Sequence, residues 1–137
     1  MLNGLVVLLR HVQRNPYCDF NSHEQKGALP EDQYINALLA DLAAEMPSVW
    51  GRTINTVFIG GGTPSLMDPR SIDQIMDRVR KNWSVANDVE VTMEANPSSV
   101  EAHRFTAYRA AGVSRVSLGI QALNDPDLKA LGRLHTA

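Results

Sequence analysis

Short apolar runs alternate with amphipathic stretches along the whole chain, and this alternation limits the fold more than any other feature of the sequence. Leu5-Val6-Val7-Leu8-Leu9 is the first run. It is too short to cross a bilayer. No basic residue precedes it and no small-residue cleavage site follows, so a buried strand is expected rather than a signal peptide. A polar loop with Pro and Gly runs from Arg10 to about Leu29. Pro30 then opens a helix, with Glu31 and Asp32 in its first turn, where acids suit the positive end of the helix. Ile35, Leu38, Leu39 and Leu42 recur at helical spacing, and Pro47 stops them. Thr53 to Ile59 is β-branched and apolar and predicts a second strand, with Gly60-Gly61-Gly62-Thr63-Pro64 as its exit loop. Ile72, Ile75, Met76 and Val79 mark a second helix. Asp88 to Ala95 predicts a third strand, on the alternation of Val89, Val91 and Met93. Phe105 and the alanines after it predict a helix ending at Gly112. Val113 to Ile120 holds a fourth strand, and Pro126 to Leu131 a short helix.

Strands separated by helices imply βαβ units and a parallel sheet. Four such units are half of an eight-fold barrel. The expected class is therefore α/β: about four parallel strands with helices, the N-terminal half of a partial (β/α) barrel, in one incomplete domain over residues 1–137. A half barrel leaves strand edges unpaired. The chain is accordingly expected to be truncated or to need a partner.

Composition excludes several classes. A net charge of −2 gives no broad attraction for nucleic acid or anionic lipid. Aromatics at 6% are too sparse for a platform on which single-stranded nucleic acid stacks. No nucleic-acid partner and no membrane span are expected. Cys18, the single cysteine, cannot form an internal disulfide or hold a metal alone, which suits a reducing compartment, most simply the cytoplasm. His23, His103 and His135 have no metal-ligand spacing with one another or with Cys18. His11 and Cys18, seven residues apart in an expected loop, give weak support for a metal. The sequence sets no oligomeric state.

In parallel βα folds the loops after the strands converge on one face, and sites form there. Four stretches fall at such loops. His11 to Phe20 carries one thiol beside an acid, the pattern of an ordinary cysteine unless its setting is electropositive. Gly60-Gly61-Gly62-Thr63-Pro64-Ser65 lets backbone approach a ligand, and its amides can hold a carboxylate or phosphate. It lacks the Gly-Lys-Ser/Thr of a phosphate loop and the dinucleotide fingerprint, so a plain tight turn is the equal alternative. Glu94, in Met93-Glu94-Ala95-Asn96-Pro97, ends a buried strand, where a carboxylate must be paired or hydrogen-bonded. It can accept from ribose hydroxyls or an amine, or cap the next helix. Gln121 offers donor and acceptor. Arg133 can grip a carboxylate with two hydrogen bonds or lie solvated at the surface.

Together these segments say more than any one of them. Pro16-Tyr17-Cys18-Asp19-Phe20-Asn21-Ser22-His23, Phe58 to Ser65, Met93 to Pro97, Ser117-Leu118-Gly119-Ile120-Gln121 and Leu131-Gly132-Arg133-Leu134-His135 resemble the HemW-type haem chaperones. These are oxygen-independent coproporphyrinogen III oxidase-like proteins of the radical SAM superfamily. The resemblance runs from about His11 to the end, over about the first third of a family member. It implies a partial (β/α) barrel of the radical SAM type. It also implies a 4Fe-4S cluster on three cysteines in a C-x-x-x-C-x-x-C loop, with S-adenosylmethionine on the open iron. By resemblance Gly61, Gly62 and Thr63 touch the amino-acid part of S-adenosylmethionine, and Tyr17 lies near its adenine. Glu94, Gln121 and Arg133 match further contacting positions. Only Cys18 matches a cluster cysteine, because His11 and Asn15 stand where the family has the other two. Leu5 replaces a tyrosine usual in the family.

The leading expectation is a haem-chaperone-like protein able to bind haem or S-adenosylmethionine, passing haem to an accepting protein, but without the cluster and without radical SAM activity. Other readings are an active radical SAM enzyme of tetrapyrrole metabolism with His11 as a substitute ligand, a non-catalytic interaction module, and a non-functional fragment.

Overall fold

The computed structural model describes residues 4–9, as backbone only, together with 30–97 and 103–137. Its strands are β1 (Gly4–Leu9), β2 (Thr53–Gly61), β3 (Ser84–Ala95) and β4 (Arg115–Leu118). Its helices are α1 (Glu31–Glu45), α2 (Pro69–Asn82), α3 (Phe105–Ala110) and α4 (Asp125–Ala130). Short 3-10 turns at Met46–Val49 and Pro64–Leu66 follow α1 and β2. The four strands form one sheet in the order β1-β2-β3-β4, every pair parallel. Each strand lies beside its predecessor, which is the winding of a barrel rather than of an open sheet that reverses direction.

One core joins the helices to one face of the sheet. Ile35 of α1, Ile72, Ile75, Met76 and Val79 of α2, and Tyr108 of α3 pack with Val57 and Ile59 of β2 and Val91 and Met93 of β3. The α2 residues recur at i, i+3, i+4 and i+7, the stripe a core-facing helix needs. Each of these four side chains is 0% exposed, and full burial of such a side chain contributes about 1.5–3 kcal/mol. Thr56 and Phe58 alternate with the buried β2 residues and remain exposed, whereas Thr92 of β3, on the same face, is buried.

Local chemistry sets the helix ends. Asp68 caps α2, accepting from the Arg70 amide at 2.9 Å, and Pro69 fills the first helical position. Glu31, in the first turn of α1, accepts from the Asp68 amide at 2.7 Å, so the starts of α1 and α2 are tied together. Gly112 takes φ +107 after α3. There the Val113 amide bonds the Tyr108 carbonyl and the Gly112 amide that of Arg109, the paired reversal that closes a helix on a left-handed residue.

Element boundaries differ from the sequence expectation in three places. Gly60 and Gly61 belong to β2 rather than to its exit loop, because β1 pairs with them through Leu8 and Leu9. β3 begins at Ser84, not Asp88. Ile54 pairs with Val85 and Thr56 with Glu90, so residues 86–89 face a single β2 residue and break the alternation from which the strand was read. β4 is shorter than expected, since Val113 and Ser114 complete the turn from α3.

The cap of α2 predicts an acid sensitivity. The Arg70 side chain and then its amide hold the Asp68 carboxyl down at about 2, from an ordinary 3.8. A lowered carboxyl stabilises the fold above its unfolded value and loses that contribution as pH falls through the folded one. Between about pH 4 and 2 the melting temperature of the wild type should therefore fall further than that of Asp68→Asn, which keeps a capping oxygen without titrating. The difference is small, because the pair is exposed and screened by solvent. Parallel thermal melts across that range that show no divergence would contradict it.

Candidate functional site

The carboxyl ends of β2, β3 and β4 bring the expected residues to one place. Gly61 has φ +97, a conformation open to glycine. Its amide donates to Glu94 Oε2 at 3.2 Å, so the glycine turn holds the carboxylate at the end of β3; a cap on the next segment would fall outside the described residues. Gly60 is demanded by crowding. A Cβ built there would lie 2.6 Å from Phe58 Cε1 and 3.2 Å from Glu94 Oε2. A side chain at Gly60 would thus press on both Phe58 and the Glu94 carboxylate.

A second chain of contacts starts two residues on. Asn96 Nδ2 lies 3.5 Å from Thr63 Oγ1. Asn96 Oδ1 accepts from Arg133 Nη2 at 3.0 Å, and the same nitrogen donates to the Gly119 carbonyl at 2.6 Å. Arg133 is therefore not a solvated surface arginine. It is delivered by the end of α4. Gly132 takes φ +69, the Arg133 amide bonds the Leu128 carbonyl, and the Gly132 amide bonds that of Lys129. This is the same reversal that closes α3, and it turns Arg133 back to the strand ends.

Gln121 joins from β4. The Gly119 amide extends the sheet by bonding the Ala95 carbonyl at 2.9 Å, and the chain then turns sharply, with the Ile120 amide on the Leu118 carbonyl. Gln121 follows at φ +74, the only described non-glycine residue with positive φ. A Cβ on Gly119 would sit 3.3 Å from Gln121 Nε2 and 3.8 Å from Asn96 Oδ1, so the Gln121 amide lies beside the Asn96–Arg133 pair. A side chain held in this region costs of order 1–3 kcal/mol, and such strain gathers at binding sites.

Gly61, Thr63, Glu94, Gln121 and Arg133 are thus assembled from three strand ends and one helix end. Gly62 lies between two residues that belong to the cluster. Sequence reasoning gives no role to Asn96, which stands in Met93 to Pro97. Its place between Thr63 and Arg133 makes it part of the site. It lies one residue beyond the end of β3, and its partners are 33 and 37 residues away, so no local pattern marks it. Tyr17, Cys18, His11, Asn15 and His23 lie outside the described residues. Among the described residues no three His, Cys, Asp or Glu side chains gather to hold a metal, and no helix is long and apolar enough to cross a membrane.

The sequence profile of the Radical SAM superfamily matches residues 16–137. The chain belongs to the radical SAM superfamily. Among curated relatives, the heme chaperone HemW of Escherichia coli is 50% identical over 124 residues, covering 90% of this chain and 33% of the relative. HemW of Haemophilus influenzae is 48% identical over 130 residues, or 92% of this chain and 34% of the relative. The mouse protein named radical S-adenosyl methionine domain-containing protein 1, mitochondrial, is 38% identical over 91% of this chain and 28% of its own length. The chain therefore spans about a third of the curated relatives it matches. The solved structure of coproporphyrinogen III oxidase (HemN) from Escherichia coli, described as a radical SAM enzyme, superposes with a TM-score of 0.83. It shares 27% identity over 96% of this chain and 31% of its own. The four-stranded parallel sheet is thus part of a radical SAM barrel.

The radical SAM profile begins at Pro16. Positions 11 and 15, where the resemblance puts two of the cluster cysteines, precede it. An imidazole, a neutral amide and one thiol do not fit a 4Fe-4S cluster, whose irons take soft thiolates. The glycine turn, by contrast, fits the amino-acid end of S-adenosylmethionine. It holds the Glu94 carboxylate on the Gly61 amide, and its Thr63 meets the Asn96 that accepts from Arg133.

Proposed function

We propose that this chain is a haem-chaperone-like protein that binds S-adenosylmethionine by its amino-acid end and holds no 4Fe-4S cluster. The observation that carries the reading is the placing of opposite charges about one glycine turn, with Glu94 on the Gly61 amide and Arg133 tied through Asn96 to Thr63. A zwitterionic amino acid requires this complement: an acid for its ammonium and a guanidinium for its carboxylate. In this reading Glu94 receives the ammonium, Arg133 the carboxylate, and Gln121 supplies a donor and an acceptor between them. Gly61, Gly62 and Thr63 form the wall of the site, and Tyr17 lies toward the adenine. Bound there, the ligand supplies a sulfonium centre; the residues of the chain bind and orient it. Cys18 is left as an ordinary thiol, in keeping with a reducing compartment such as the cytoplasm.

The haem part of the proposal rests on the similarity to haem chaperones, with a haem-accepting protein as the partner. No side chain is assigned to the iron. Calorimetric titration of iron-free protein with S-adenosylmethionine should give saturable binding of one equivalent. Titration with haemin, followed in the Soret band, should show a saturable shift. Absence of S-adenosylmethionine binding at millimolar ligand would remove the nucleotide reading, and a linear, unsaturable haemin response would remove the haem reading. Formation of 5′-deoxyadenosine on reduction would overturn the cluster-free assignment.

A further inference from the structure

The segment that follows the glycine turn is held from α3. Tyr108, 0% exposed, brings its hydroxyl to 2.6 Å from the Ser65 carbonyl and 2.7 Å from that of Met67. A phenol has one proton, so the two carbonyls share it. Arg104, at the start of α3, donates from Nη1 to the Leu66 carbonyl at 2.9 Å and to that of Met67 at 3.3 Å. Three successive carbonyls, 65 to 67, are thus taken up by two side chains about forty positions on in the sequence. Within the segment, the Leu66 amide bonds the Thr63 carbonyl and the Met67 amide that of Pro64, both at 3.1 Å.

Packing alone does not call for the hydroxyl. The Tyr108 ring lies in the apolar core with Ile75, Met76 and Met93, where phenylalanine would fill nearly the same volume. Burying a hydroxyl there is unfavourable unless it is hydrogen-bonded, and its partners sit immediately beyond Gly60-Gly61-Gly62-Thr63. Thr63 is at once the residue that meets Asn96 and the one whose carbonyl anchors the turn held by Tyr108.

We propose that Tyr108 is a positioning residue, with Arg104 as its helper, that fixes the glycine turn in the arrangement that meets Glu94 and Asn96. It acts through the Ser65–Met67 carbonyls and touches no ligand. The inference rests on the nucleotide-binding reading for its affinity arm, but not for its local-order arm.

The test uses Tyr108→Phe in the full chain, with S-adenosylmethionine alone as the probe. Amide hydrogen exchange at Gly61, Leu66 and Met67, the hydrogen-bonded amides of the turn and its exit, should accelerate roughly tenfold while that of Val57 and Met93 is unchanged, the signature of a local opening. If the turn is then competent about a tenth of the time, affinity falls roughly tenfold. Ile54→Val, a core substitution at the start of β2 and so at the far end of that strand from the turn, supplies a variant of lowered melting temperature that should bind as the wild type does. Unchanged exchange in the turn overturns the proposal. So does an equal affinity loss in Ile54→Val, because the effect is then general destabilisation. Should Tyr108→Phe fail to fold, Arg104→Gln carries the test, with a smaller acceleration confined to the same amides. If the wild type binds no S-adenosylmethionine, the nucleotide reading falls, and the exchange comparison still decides the role of Tyr108.

Discussion

Anaerobic incubation of this chain with ferrous iron and sulfide is expected to give no stoichiometric 4Fe-4S absorption, whereas the double variant His11→Cys, Asn15→Cys should take up one cluster per chain. The argument is one of ligand chemistry. Three thiolates hold three irons of such a cluster and leave the fourth open. This sequence offers the thiol of Cys18 with the imidazole of His11 and the amide of Asn15. An uncharged amide is a hard, weak donor that does not replace a thiolate on iron. Visible absorption, iron and sulfide content, and the electron paramagnetic resonance of the reduced sample report the outcome. A stoichiometric cluster in the unmodified chain would show His11 serving as a ligand and would return redox chemistry to the protein.

The second large effect is expected at Glu94. Glu94→Gln keeps an oxygen for the Gly61 amide and so should melt within a few degrees of the wild type. What it removes is the charge that meets the ligand's ammonium. A hydrogen bond to a charged group is worth about 1.5–3 kcal/mol, and each 1.4 kcal/mol is tenfold in affinity. S-adenosylmethionine binding should therefore weaken by roughly ten- to a hundredfold. Arg133→Met provides the contrast. It strips the donor from the Gly119 carbonyl and from Asn96 Oδ1, so it should lower the melting temperature as well as the affinity. Calorimetry beside thermal melts separates the two. Wild-type affinity in Glu94→Gln would mean that the ammonium is bound elsewhere.

The sequence made the scaffold legible because its elements follow local rules. The α2 stripe of Ile72, Ile75, Met76 and Val79, the acidic start of α1 and the stop at Gly112 all appear where periodicity and end chemistry put them. β3 was read four residues short, because residues 86–89 face a single β2 residue and their pattern is not that of a regular strand. The site was legible as a set of loops but not as a set of contacts. That Glu94 meets the Gly61 amide, 33 residues away, depends on strand register, which a linear pattern does not contain. Asn96 and Tyr108 went unassigned for the same reason, since their partners lie 33 to 43 residues off. The inward placement of Arg133 follows from Gly132, whose left-handed turn is visible in the sequence only as a glycine after the short helix DPDLKA.

That turn places an unusual demand on α4. A helix advances about 100° and 1.5 Å with each residue, so one residue inserted anywhere between Asp125 and Ala130 would swing the guanidinium a quarter turn away from Asn96. The six-residue span thus works as a measured spacer that sets where the arginine arrives.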